Sequence, residues 1–277
     1  MNQFTLCAFA DEAGADINEQ ISALNDNDIP FLEVRGVNGK NISELNLQQA
    51  KELKKQLQSN DIKIWSIGSP LGKINIKDDF DPHMELFKHI IELAHATEST
   101  CIRLFSFYIP ADEDATVYRD EVIERLSLFC ETAKGSGVTL CHENEKGIYG
   151  DIASRCLDIH RQIPELSAVF DPANFVQCGQ DTLEAWQLIA PYVKYMHIKD
   201  AQSDGKVVPA GKGSGNIPQL IKSYRSQGGN VLSIEPHLTV FSGLEKLELN
   251  QKIEESYAYE SQRAAFNAAA TALKSLF

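Results

Sequence analysis

The 277-residue sequence predicts an α/β fold, a single-domain (β/α)8 barrel, on three observations. Apolar, β-rich runs begin near Phe4, Phe31, Ile62, Cys101, Val138, Ser167, Val193 and Val231, and segments of helical period separate them. Strict βα alternation implies a parallel sheet, and eight units with no second compositional regime favour closure over an open doubly wound sheet. No GxGxxG turn follows the first strand, which weakens the open alternative further. There is no internal linker or low-complexity segment, so residues 1–277 read as one domain.

The helical segments include INEQISALNDN, SELNLQQAKELKKQLQSN, MELFKHIIELAHAT and YRDEVIERLSLFCETAKGSG, with apolar residues at i, i+3, i+4 and i+7. Ser43 with Glu44, and Asp81 with Pro82, read as helix starts, and Gly135 and Gly137 as stop signals. The strand from Val138 then runs into charge: His142, Glu143, Asn144 and Glu145. Three later runs repeat that pattern. LSAVFD ends in Asp171, VKYMH ends in His197 with Lys199 beyond, and VLSIE ends in Glu235 with His237 beyond. Three carboxylates and an imidazole suit one divalent ion, Mn, Mg, Co or Zn, if they converge. The barrel supplies that convergence, because the carboxyl ends of its strands, spaced about 4.8 Å apart, share one mouth.

Residues two apart on a barrel strand share a side, so Lys199 follows His197 inward, His237 follows Glu235, and Glu33 sits with Arg35. Lys199 reads either as a substrate cation or as a partner of Asp200 or a nearby carboxylate. Glu33, Arg35 and Arg103 are expensive inside a barrel unless paired, so the alternatives are a Glu33–Arg103 or Glu33–Arg35 ion pair and recognition of a substrate hydroxyl or carboxylate. Cys141 shares parity with Glu143, so it reads either as lying just beneath the site or as a plain core residue. The long connections, roughly Ser69–Phe80, Phe107–Thr116, Ala201–Gly215 and Pro236–Asn250, fall on the mouth side. Lys73 sits on the first. The run VPAGKGSGN carries Lys212 and has the composition of a mobile loop that approaches a substrate closely, without the spacing of a nucleotide P-loop.

Composition excludes several classes. A formal charge of −13 with no basic arm opposes nucleic acid, and no apolar run approaches the roughly 18 residues of a membrane span. The six cysteines show no CxxC, and the N-terminus lacks the features of a signal peptide, so the protein reads as cytoplasmic with reduced thiols.

Seven motifs in order, LEVRG, SPLGK, HENEKGIYGD, FDPANF, HIKDA, AGKGSG and IEPHL, resemble the xylose-isomerase-like TIM barrels, the sugar phosphate isomerases and epimerases. The resemblance covers nearly the whole chain. It implies one metal ion on Glu143, Asp171, His197 and Glu235, with Glu143 and Glu235 also the acid/base pair. Epimerases of this group often carry a histidine three residues after the metal-binding Asp, where this chain has Asn174. The implied activity is a metal-dependent isomerase or epimerase of a ketose or sugar phosphate, passing through an enediolate. The candidate substrate contacts are Glu33, Arg35, Lys73, Arg103, Asn174, Lys199, Lys212 and His237. Alternatives are a metal-dependent dehydratase of the inosose type and a non-catalytic sugar-binding barrel. A related barrel group that cuts DNA at abasic sites with three zinc ions needs more strand-end histidines than this chain has. Expected partners are therefore a small sugar or sugar phosphate, no nucleic acid, no membrane, and further copies of the chain if it forms a homo-oligomer.

Overall fold

The computed structural model describes residues 4–239 and 259–277. Eight parallel strands close into a barrel: β1 (Thr5–Ala8), β2 (Phe31–Val34), β3 (Lys63–Gly68), β4 (Cys101–Leu104), β5 (Thr139–Glu143), β6 (Ser167–Phe170), β7 (Val193–Ile198) and β8 (Val231–Ile234). Each strand pairs with its neighbours in sequence, and β1 closes the ring against β8 with Cys7 opposite Ser233. All eight expected runs are barrel strands. The loop expected over Pro236–Asn250 falls, from residue 240 onward, outside the described residues.

The helices form where capping chemistry and apolar spacing agree. α1 (Ile17–Asp26) starts at a capping box of Asp16 and Glu19. α2 (Leu47–Gln58) starts at a second box of Asn46 and Gln49. The start expected at Ser43 and Glu44 is instead a short 3-10 turn, Ile42–Glu44, capped by Asn41. Two asparagine caps five residues apart thus divide what the spacing reads as one helix. α3 (Asp81–Thr97) begins at the expected Asp81 with Pro82 in its first turn, and α4 (Arg119–Ala133) ends before Gly135 and Gly137, both with positive φ. α5 (Ala153–Gln162), α6 (Pro172–Gln177), α7 (Thr182–Ile189), α8 (Ile217–Ser226) and α9 (Gln262–Lys274) complete the described helices.

The largest apolar cluster lies between the strands and the helices, and a smaller one plugs the barrel axis. The plug is Cys7, Cys101, Cys141, Val169, Tyr195 and Val231, with Phe31 and Trp65 packed on it. Cys141 is therefore in the plug, two residues below Glu143, and all six cysteines are free thiols. One step up each strand the buried interior becomes polar, with Glu33, Ser66, Arg103, Glu143, His197 and Ser233.

Candidate metal centre

The four strand-end donors converge. Glu143, Asp171, His197 and Glu235 each offer one ligand atom within 4.8 Å of the others, and all four are buried. Glu143 ends β5, Asp171 and Glu235 directly follow β6 and β8, and His197 is the penultimate residue of β7. Asp171 is also the N-cap of α6: its Oδ1 accepts the Asn174 backbone N–H at 2.9 Å, and Pro172 opens the helix. Its Oδ2 is buried without a hydrogen bond, 3.1 Å from the Lys199 ammonium and 4.0 Å from His197 Nδ1. Asn144 clamps the Asp171 backbone, donating from Nδ2 to its carbonyl and accepting its N–H at Oδ1, both at 2.9 Å.

His197 is held from two sides. Its Nε2 lies 3.2 Å from Glu33 Oε2, while Nδ1 lies 2.9 Å from Glu143 Oε1 and 3.7 Å from Glu235 Oε2. Glu33 also accepts the Tyr195 hydroxyl at 2.6 Å and the Ser233 hydroxyl at 2.7 Å. A carboxylate on one ring nitrogen selects the tautomer that leaves the other free, the arrangement typical behind metal-ligating histidines.

Burial, with Glu235 and Glu143 close by, pushes the Asp171 carboxyl up to about 7 in spite of Lys199. Burial would raise Glu143 too, but His197 and Arg103 outweigh it and hold that carboxyl at about 2. At Glu235 burial is likewise outweighed, here by Lys199, His237 and His197, and the carboxyl stays well below its usual range. Burial would lower His197, yet Glu143 and Glu33 carry it well above its ordinary value. Three carboxylates closing on one imidazole, with Asp171 Oδ2 lacking a hydrogen bond, fit a divalent ion with oxygen and nitrogen donors.

The other expected site residues divide into those the barrel brings to this centre and those it does not. Arg35 reaches it, with Nη1 3.0 Å from Glu235 Oε1, Nε 2.9 Å from Asp11 Oδ2 and Nη2 3.0 Å from Glu12 Oε1. Lys199 reaches it, 2.9 Å from Glu235 Oε2 and 3.1 Å from Asp171 Oδ2, so its partners are the ligand carboxylates and not Asp200. Arg103 places Nε 3.3 Å from Glu143 Oε2. Asn174 donates from Nδ2 to the Asn144 carbonyl at 2.9 Å and lies 3.5 Å from Glu143 Oε1. His237 donates its backbone N–H to Glu12 Oε2, and its Nε2 is 3.5 Å from both Glu12 Oε1 and Glu235 Oε1. Lys73 lies at the edge, 3.4 Å from Glu145 and 4.3 Å from the centre of the Phe105 ring.

Two expectations are corrected. Glu33 makes neither ion pair expected of it: it is fully buried beneath His197, because Tyr195, Ser233 and the imidazole take up its oxygens. The glycine-rich run is pinned and not free. The buried Asp200 carboxylate accepts the N–H groups of Gly211, Gly213 and Gly215, each at 2.9 Å, and a Cβ on Gly213 would meet its Oδ1 at 2.4 Å. Backbone donors of the kind that cradle phosphate are thus occupied by an internal anion, and Lys212 is left exposed on the outer side of that turn.

Sequence reasoning passed over Phe9, Asp11 and Glu12 as site residues. Asp11 and Glu12 lie just beyond β1, so the rule applied to the last four strands finds them when it is applied to the first. The Phe9 ring lies 4.4 Å from Arg35 Cζ and packs edge-on against His197. Nothing in its sequence neighbourhood marks that contact.

Comparison with known proteins places these features among relatives of varied activity. A curated relative, the 3-dehydroshikimate dehydratase of Bacillus anthracis, is 19% identical over 180 residues, which span 64% of this chain and 64% of that protein. The crystal structure of the IOLI protein with a binding zinc atom superposes with a TM-score of 0.75 at 14% identity, covering 98% of this chain and 97% of that one. A D-psicose 3-epimerase from Clostridium cellulolyticum H10, solved with D-tagatose, gives a TM-score of 0.73 at 16% identity and covers 98% of each chain. Among the described residues no helix is long and apolar enough to cross a membrane. The model of the xylose isomerase-like TIM barrel family matches residues 8–259, and the chain belongs to that family.

Proposed function

We propose that the protein is a divalent-metal-dependent isomerase or epimerase that moves a proton at a carbon next to a carbonyl in a small polyhydroxylated substrate, a ketose or sugar phosphate being the simplest. The observation that carries this reading is the pair Glu143 and Glu235, three strands apart around the mouth, both ligand candidates and each steadied by its own cation. A Mn, Mg, Co or Zn ion held by Glu143, Asp171, His197 and Glu235 supplies Lewis-acid polarisation of the substrate carbonyl. The protein's own groups do the rest. One glutamate takes the proton, and the other returns one, to the opposite face for epimerisation or to the neighbouring carbon for isomerisation. Arg103 beside Glu143, and Arg35 beside Glu235, aim the two carboxylates, and the one that returns a proton does so from its protonated form. Lys199, buried against Glu235, offers a charge-assisted donor for an oxygen that gains negative charge.

A second reading, a dehydratase of the inosose type, is favoured by that same Lys199 ammonium, since a donor beside the base suits protonation of a departing hydroxyl. The two differ only in the fate of the enediolate. The test is a panel of ketoses, ketose phosphates, inososes and polyhydroxy keto acids incubated with the Mn-loaded protein in D2O and followed by NMR and mass spectrometry. Deuterium gained next to the carbonyl with no loss of water, abolished by Glu235→Gln, is the expected result. A product lighter by one water overturns the isomerase reading in favour of the dehydratase.

A further inference from the structure

Arg103 is the anomaly of the site. It projects inward from β4, is 2% exposed, and none of its guanidinium nitrogens makes a hydrogen bond among the described residues. Its ionic neighbour among those residues is Glu143, 3.3 Å from Nε, and that nitrogen is buried without a hydrogen-bond partner. The other cations drawn toward the centre are held directly: Arg35 by three carboxylates, Lys199 by two. Two aromatic rings cover the faces of the Arg103 fork, Phe105 with its centre 4.5 Å from Cζ and Phe9 at 5.4 Å. Rings stabilise the faces of a guanidinium but leave its in-plane N–H donors without acceptors. The buried Nε is costly to leave unsatisfied, and the rest of the fork offers further donors to the same acceptor.

A glycine packs directly against the fork. On the adjacent β3 the residue opposite Arg103 is Gly68, where a Cβ would stand 3.0 Å from Arg103 Nη2 and 2.6 Å from the Phe9 ring. A side chain there would displace Nη2 and the Phe9 ring, so the glycine fixes where the fork lies. Lys73, across the Phe105 ring, adds a second positive charge to the same side of the mouth.

We infer that Arg103 is the receptor for a carboxylate on the substrate, so the substrate is a polyhydroxylated oxo acid and not a neutral ketose or a sugar phosphate. This inference rests on the proton-transfer reading above, keeps its chemistry, and replaces its simplest substrates with an oxo acid. A planar carboxylate fits the planar fork through two parallel hydrogen bonds, whereas a neutral hydroxyl would satisfy one donor and leave the charge uncompensated. Because Arg103 also touches Glu143, the carboxylate it takes lies on the same small molecule as the carbon whose proton Glu143 handles. Arg103 thereby sets specificity, and the rings of Phe9 and Phe105 fix the plane in which the carboxylate is read.

The test is calorimetric binding of matched probes that need no turnover: quinate against methyl quinate, and gluconate against glucitol and glucitol 6-phosphate. Each is measured with Mn-loaded and with chelator-treated protein, and metal content is measured on the same samples. The wild type should bind each carboxylate at least roughly tenfold more tightly than its neutral partner in both states, as expected for a charge-assisted bidentate contact. Arg103→Met should bring the members of each pair within about twofold, and Arg103→Lys, which keeps the charge but loses the fork, should lose most of the preference. Should the Met variant fail to fold, the Lys variant set against the chelated wild type still decides between the outcomes. Equal binding by the wild type, a preference that survives both substitutions, or glucitol 6-phosphate binding better than gluconate overturns the inference. Protein that holds one ion per chain but shows no carboxylate preference sinks this inference alone, and a preference in Mn-loaded protein that retains no ion sinks the metal reading alone.

Discussion

His197 turns Nδ1 toward the ligand cluster because Glu33 holds Nε2, and Glu33 is itself fixed by Tyr195 and Ser233. On the proposed function Glu33 is a positioning residue for the metal site. Glu33→Gln removes the charge and keeps an acceptor of the same shape, so the barrel should fold with little change in Tm while metal affinity falls roughly 10- to 100-fold. Titration of Zn or Mn into the chelated variant checks this, and an unchanged affinity would contradict the role. Its inward direction is legible from parity with Arg35, but its partners are not. They lie on β7 and β8, and only the closed ring, with Ser233 beside His197 in register and β1 between β8 and β2, brings them under one carboxylate. The four proposed ligands are legible for the opposite reason: each stands at the end of its own strand, and a barrel sends every strand end to the same mouth.

At the level of elements, the connection from β3 to α3 shapes the Arg103 side of the site. Its backbone runs along the end of β4, with Leu71, Gly72 and Ile74 carbonyls accepting the N–H groups of Phe105, Phe107 and Tyr108. Gly72 is required there, since its φ is +81° and a Cβ would meet the Phe105 carbonyl oxygen at 2.0 Å. The turn is anchored from below by His83 in the first turn of α3, whose Nε2 accepts the Gly72 N–H at 2.7 Å and must be unprotonated to do so. Burial, helped by Arg125, pulls the His83 pKa down to about 4. Such a group contributes stability that is present above its unfolded pKa of about 6.5 and is lost as pH falls through about 4. Denaturant melts at a series of pH values should show the wild type losing on the order of 2–3 kcal/mol more than His83→Gln between those limits. Parallel curves would show that His83 is not the anchor. Helix spacing in the sequence locates α3 and its start at Asp81, but it gives no sign that a histidine on that helix holds a glycine eleven residues earlier. That link crosses the surface between two elements whose separate signals are both local. The same limit explains Asp200: its carboxylate and the glycines it gathers are adjacent in sequence, yet composition alone reads them as a free loop.

Across the whole molecule, an apolar plug fills the lower barrel and the polar layer above it opens at the strand ends, so charge is concentrated at one end of the axis. The alternation of strand and helix is legible at this scale because it needs only periods of two and 3.6, and the closed ring follows once eight units are counted. What stays hidden is pairing around the mouth, such as Arg35 with Glu235, because it depends on which side chains the closed ring sets face to face. The central claim is that this ring gathers Glu143, Asp171, His197 and Glu235 around a single divalent ion. Elemental analysis of the purified chain, after chelation and reloading with Mn or Zn and removal of excess, tests it most directly, alongside Asp171→Ala and His197→Ala. One ion per chain in the wild type, absent from both variants while their circular dichroism stays that of the parent, is the predicted result. Variants that hold the ion as tightly as the parent, or a folded wild type that retains none, would contradict it.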